Sequence, residues 1–157
     1  MGCYEYICTS PVAGTAATST ATVCNGNTGI LTVSGQTARS IKWQQSPNGS
    51  SSWTDVSSGS NYTSNNFTTE ALSTTTYYRV AASCSGNFSD QVNSNVITIT
   101  VPTGIKYVST SGSNINDGNS TGSAYQTLAY AISQATCGYT ISVAAGTYSD
   151  DLLDLTS

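Results

Sequence analysis

The clearest alternation of apolar and polar positions is Ser40-Ile41-Lys42-Trp43-Gln44-Gln45. Ile41, Trp43 and Gln45 fall on one side and Ser40, Lys42 and Gln44 on the other, the period of a half-buried strand. Trp43 carries the largest apolar area of any side chain here and is expected to anchor a core. The same period recurs along the chain. Leu31 and Val33 share a face before Gly35. Tyr78, Val80, Ala82 and Cys84 share a face opposite Arg79 and Ala81. Ile97, Ile99 and Val101 point one way in a closing strand over Val96 to Val101. Trp53 to Val56 is a short strand, Tyr62 to Thr69 a candidate strand carrying Tyr62 and Phe67, and Leu72 a core plug before the Ser73–Thr76 corner. Tyr77 or Tyr78, just after that corner, is expected to bury its ring and bond its hydroxyl to a backbone group. Asn25-Gly26-Asn27 and Ser46-Pro47-Asn48-Gly49-Ser50 mark turns between these segments.

Near the start, Cys3 to Thr9 alternates weakly, with Tyr4, Tyr6 and Cys8 on one face, and reads as a strand with no hairpin partner nearby. Ser10-Pro11 breaks it, and Val12 to Thr22 is small, polar and extended. Short strands at this spacing, separated by turn signals, are what a β-sandwich requires. Cys24, Trp43 and Cys84 stand on or beside three of them. That placement, with inward parity at Cys84, predicts a Cys24–Cys84 disulfide across the sandwich, closing a loop of about sixty residues.

After Pro102-Thr103-Gly104 the pattern changes. Lys106-Tyr107-Val108-Ser109 is a strand, and Gly112 to Gly118 a polar turn-rich loop. Ser123-Ala124-Tyr125-Gln126 fits a capping box, and Leu128, Ala131, Ile132 and Ala135 follow at helical spacing. Gly138 is the expected helix stop. Thr140 to Ala144 alternates as a strand with Ile141 and Val143 inward. The sum is a strand–helix–strand unit.

Composition narrows the function. The 157 residues carry a net charge of −4, and only 8% are charged. The four cations, Arg39, Lys42, Arg79 and Lys106, are too few and too scattered for nucleic acid or an anionic membrane. No run approaches the length of a membrane span. There is no His, which removes the commonest general base and metal ligand. Five Cys with no Cys-x-x-Cys fit an oxidising compartment, and so an extracellular or cell-surface protein. Met1 to Cys8 has neither the basic start nor the apolar run of a secretory signal, so the chain is expected to be part of a longer reading frame.

Two resemblances follow. Val23-Cys24-Asn25-Gly26, Ile41-Lys42-Trp43-Gln44, Trp53-Thr54-Asp55-Val56, Thr75-Thr76-Tyr77-Tyr78-Arg79-Val80, Cys84 and Asn95 to Val101 together resemble the immunoglobulin-like modules repeated in large secreted surface proteins and adhesins of Bacteroidota. That resemblance implies a spacer or binding module without catalytic residues. Tyr107-Val108-Ser109, Gly112-Ser113, Asn116-Asp117-Gly118, Tyr125-Gln126-Thr127-Leu128, Ala131-Ile132 and Val143 to Tyr148 resemble the N-terminal cap and first coil of pectate-lyase-like right-handed parallel β-helices. That group implies sugar binding or cleavage, with its catalytic groups on later coils. The expected fold is therefore mainly β. A strand over 1–10 belongs to a preceding module or is donated to a neighbour, an immunoglobulin-like antiparallel β-sandwich spans 11–102, and a β-helix-like cap and first coil spans 103–157.

The candidate sites are few. Asn114, Asn116 and Asp117 offer oxygens to a calcium ion, or bond their own turn. Asp150, Asp151 and Asp154 form the densest acidic cluster, but adjacent Asp residues on a strand face opposite ways, unlike a glycosidase pair. Tyr4, Tyr6, Trp53 and Tyr62 form either a platform for surface glycans or packing. No cofactor is expected. With Cys24 and Cys84 paired, Cys3, Cys8 and Cys137 leave an odd thiol: either Cys3 or Cys8 bonds Cys137 or its own counterpart in another subunit, or Cys3 and Cys8 bridge locally and one thiol is buried in a monomer. The expectation is a non-catalytic structural or adhesive subunit, joined head to tail with copies of itself into a surface filament by strand addition and disulfides. The alternative is the accessory N-terminal part of a secreted carbohydrate-active enzyme.

Overall fold

The structure is a computed structural model that describes residues 8–59 and 63–149. It is mainly β and forms two compact units, Met1–Val101 and Pro102–Ser157. The expectations placed on Cys3, Tyr4, Tyr6, Tyr62, Asp150, Asp151 and Asp154 lie outside the described residues.

The described residues of the first unit form eight strands: β1 (Thr15–Thr18), β2 (Ile30–Ser34), β3 (Ser40–Ser46), β4 (Thr54–Asp55), β5 (Asn66–Thr68), β6 (Thr76–Ser83), β7 (Val92–Asn93) and β8 (Ile97–Ile99). One antiparallel sheet runs β1-β2-β5. The other runs β4-β3-β6, with β7 and β8 both on the far edge of β6. Leu31, Val33 and Phe67 from the first sheet and Trp43, Tyr78, Val80 and Ile99 from the second share one buried cluster. Trp43 is fully buried, with its ring centroid 5.7 Å from that of Phe67, and Phe67 meets Tyr78 edge-on at 6.0 Å. The indole N–H finds the Ser64 carbonyl at 3.0 Å, as a buried Trp requires. Burial pushes the Tyr78 phenol up to about 12, opposed by a hydrogen bond with Thr76.

Several strands differ from the sequence pattern. β1 forms within the small polar stretch because it pairs with β2 from Thr15↔Ser34 to Thr18↔Leu31. The closing strand expected over Val96 to Val101 is shortened to β8, and a separate short strand, β7, precedes it. Between β7 and β8, Ser94 exchanges bonds with Val80, its N–H donating to the Val80 carbonyl and its Oγ accepting from the Val80 N–H, both at 2.9 Å. Asn95 then reaches across to β1, accepting from Ala16 N at 2.8 Å and donating to Ala16 O at 2.9 Å. A single carboxamide thus acts as a strand partner between the two sheets. On β3, Gln44 and not Gln45 is buried. β6 is a middle strand, so small Ala81 and Ser83 on its outer face are covered as fully as Val80.

The expected Cys24–Cys84 disulfide is not formed: Cys84 bonds Cys8, with Cα atoms 5.3 Å apart. The topology gives the reason. Val23 N–H bonds the Thr100 carbonyl beside β8, whose Ile99 pairs with Thr76, so Cys24 sits where β6 begins. Cys84 follows Ser83, where β6 ends. Eight strand residues span roughly 25 Å, against the 7 Å or so that a disulfide tolerates between Cα atoms. Cys8 is therefore not available to another subunit. Cys24 and Cys137 are disulfide-bonded as well.

The second unit pairs β9 (Gly104–Val108) with β10 (Tyr139–Val143) in parallel, from Gly104↔Tyr139 to Val108↔Val143. Between them lie a single 3-10 turn (Thr121–Ser123) and α1 (Leu128–Gln134). Val108, Tyr125 and Ala131 form the buried centre, with Leu128, Tyr130, Ile141 and Tyr148 packed around it. Ser123 is not the helix cap. Ser120 caps the 3-10 turn, and Thr127 caps α1 by accepting from Tyr130 N. The helix ends at Gln134, short of Gly138. That glycine takes φ +89° at the turn into β10, where a Cβ would fall 2.1 Å from the Pro102 carbonyl. Val143 is exposed, not inward.

Candidate functional site

The outer face of the β4-β3-β6 sheet carries Lys42, Asp55 and Arg79. Strand register sets Asp55, Gln44 and Arg79 in one row across β4, β3 and β6. Gln44 is 7% exposed and is held at both ends. Its Nε2 donates to Asp55 Oδ1 at 2.8 Å, and its Oε1 accepts from Arg79 Nε at 2.9 Å. Lys42 Nζ takes the other Asp55 oxygen at 2.7 Å. Hydrogen bonds from Gln44 and Lys42 hold the Asp55 carboxyl below its usual range, and partial burial lowers the Arg79 guanidinium. The Arg79 guanidinium lies over the Trp53 ring at 4.2 Å. Trp53 is thereby covered by Arg79 on one face, which weakens the reading of it as an open platform. Tyr77 extends the same face and packs on Gly49, whose φ of +72° and close approach to the ring admit no side chain.

Lys42 also lies 4.2 Å over the Phe88 ring. Phe88 takes φ +57°, an uncommon conformation for a bulky residue, within the loop from β6 to β7. Asp90 holds that loop. Its carboxylate accepts from Ser83 Oγ, from Ser85 Oγ at 2.7 Å and from the N–H groups of Cys84 and Ser85 at 3.0 and 3.2 Å. These donors, the serine hydroxyls first, hold the Asp90 carboxyl far below its usual range. Beside Phe88 and Lys42 opens a cleft of about 680 Å³, lined also by Arg39, Ile41, Val56 and Asn65.

The calcium candidates are committed to their own loop. Asn114 Oδ1 accepts from the N–H groups of Gln126 and Thr127 at 2.9 and 3.1 Å, and Asn116 Nδ2 donates to the Ala124 carbonyl at 2.9 Å. Asp117 Oδ1 accepts from Ser123 Oγ at 2.6 Å and Asn119 N at 3.0 Å, which lowers its pKa. Among the described residues no three His, Cys, Asp or Glu side chains gather as a metal site. Lys106 is drawn into the same loop, donating to the Asp117 carbonyl at 2.9 Å and to Asn119 Oδ1 at 2.8 Å. No helix of the described residues is long and apolar enough to cross a membrane.

The Asp55–Gln44–Arg79 row was hidden from the sequence because it joins residues 11 and 35 positions apart. Its only local signal was a Gln beside a Trp on an alternating strand. The Phe88 and Asp90 loop gave no signal, since Ser83-Cys84-Ser85 reads as a strand end.

No curated protein matches the chain. A family model described as "Domain of unknown function (DUF8696)" matches residues 12–103. That span is more than half of the sequence and takes in every strand of the first unit, and the chain belongs to the DUF8696 family.

Proposed function

We propose that the chain is a non-catalytic extracellular structural or adhesive module, and that it works as a repeating subunit. On this reading the first unit is immunoglobulin-like. The sheet orders β1-β2-β5 and β4-β3-β6-β8 around a buried Trp support that, although no disulfide joins the sheets through Cys24 and Cys84. The observation that carries the reading is the state of three described aspartates. Asp55, Asp90 and Asp117 all have carboxyls lowered by donated hydrogen bonds, and each holds a strand row or a loop in place. A general acid for glycoside cleavage needs the opposite shift. Disulfides among the described cysteines favour an oxidising exterior. The intersubunit disulfide is left to Cys3 at most, so assembly on this reading rests chiefly on non-covalent contacts.

The parallel β9–α1–β10 unit favours a second reading, the accessory part of a secreted carbohydrate-active enzyme. One experiment separates them. The purified chain is incubated with a panel of polysaccharides, and new reducing ends and unsaturated products are measured. The structural reading predicts none. Turnover that disappears in Asp150→Ala or Asp151→Ala would move the chain to the enzyme class.

A further inference from the structure

Among the described residues, β3 is only half covered along one edge. β4 pairs with it at Gln44 and Gln45 alone, and the last bond on that side runs from Val56 N–H to the Trp43 carbonyl at 2.9 Å. Main-chain groups of alternate strand residues point to the same edge. Ile41, two positions before Trp43, therefore aims its N–H and C=O the same way, and no described residue pairs with it there. The gap opens into the 680 Å³ cleft, a volume within the range of ligand pockets. The Ile41 side chain packs on the core, which fixes the edge in place.

The lips of this gap are cationic. Arg39 and Lys42, two of the chain's four cations, both line it. Arg39 is exposed, and its side chain has no ion pair or hydrogen bond among the described residues. Lys42 shares only Asp55, itself 53% exposed. An open strand edge flanked by cations suits an extended peptide that carries acids. The chain contains one such stretch, Asp150-Asp151-Leu152-Leu153-Asp154-Leu155, with three of its eight acids. In an extended strand Asp151, Leu153 and Leu155 share one face, and Asp150, Leu152 and Asp154 the other. Laid beside β3, that alternation sets Leu153 and Leu155 on the side of Ile41 and Val56 and Asp150 and Asp154 on the side of Lys42; Asp151, on the leucine side, falls on the side of Arg39, two positions before Ile41.

We propose that the open edge of β3 receives residues 150–155 of a second copy by strand addition, bonded to the Ile41 main chain and held by Arg39 and Lys42. The proposal rests on the reading of the chain as a repeating structural subunit. Donor and acceptor surfaces differ, so the contact is heterologous and repeats without closing unless the rotation forms a ring.

The test is sedimentation velocity on the full chain over a range of concentrations, with two charge-reversed variants. Arg39→Glu spoils the acceptor and leaves the donor. The double variant Asp151→Lys with Asp154→Lys spoils the donor and leaves the acceptor. Thermal melting confirms that both stay folded. Wild type is expected to form a concentration-dependent series of oligomers. Each variant alone should associate at least about tenfold more weakly, since like charges then face each other. An equimolar mixture should recover association, because the intact donor of Arg39→Glu meets the intact acceptor of the double variant, and the double variant's lysines meet the reversed charge at position 39. Wild-type assembly that both variants match would overturn the docking site while leaving the subunit reading in place. A wild type that stays monomeric throughout would overturn both.

Discussion

The two tryptophans make the sharpest test of where the first unit's stability resides. Trp43 is fully buried against Phe67 and donates to Ser64. Trp53 lies half-buried on the outer face under Arg79. Trp43→Ala empties a core position, which costs about 3–5 kcal/mol for a buried aromatic. The Ser64 carbonyl is part-buried and regains water, so its lost donor adds about 1 kcal/mol at most. Trp53→Ala removes a cation–π contact of about 0.5–1 kcal/mol and a modest apolar area. Against a typical total of about 5–15 kcal/mol, the first change takes a large share and the second a small one. With a urea slope of about 2 kcal/mol/M, Trp43→Ala should lower the unfolding midpoint by about 2 M, and Trp53→Ala by well under 1 M. Far-UV circular dichroism reads both. Equal midpoint shifts would refute the placement of the core on Trp43.

Other outcomes follow from single contacts. Cys8→Ser opens a closure between positions 76 apart, and chain-entropy reasoning puts its loss at about 4.5 kcal/mol, read as a lower urea midpoint under oxidising conditions. Asn95→Ala removes both bonds to Ala16 and should cost about 2 kcal/mol, whereas Asn93→Ala at an exposed position should cost little by the same titration. Asp90 has a lowered carboxyl, so the stability it contributes is fully present above the unfolded pKa of about 4 and is lost as pH falls toward the folded value. Thermal melting should therefore show a wild-type advantage over Asp90→Asn at neutral pH that shrinks below about pH 4.

What the sequence made legible was local. The alternation around Trp43 and along Tyr78, Val80 and Ala82 placed β3 and β6, because a half-buried strand writes period two into its own residues. Phe67 and Leu31 were readable for the same reason. The rest depended on partners. β1 is polar and shows no period, and it exists because β2 offers an edge. Gln44 is buried by Asp55 and Arg79, not by its own apolarity. The disulfide failed as an inference because parity tells which face a Cys takes, and not which end of the sheet it occupies. In the candidate site, Trp53 and Lys42 were visible as residue types. The open edge at Ile41 was not, since it arises from β4 being two residues long.

The Cys8–Cys84 bond staples the start of the first unit to the end of β6. Non-reducing peptide mapping of the full chain, prepared without reductant, shows whether it forms. The prediction is a peptide containing Cys8 joined to one containing Cys84, released together by reduction. A free thiol at Cys84, or Cys84 joined to Cys24, would contradict it.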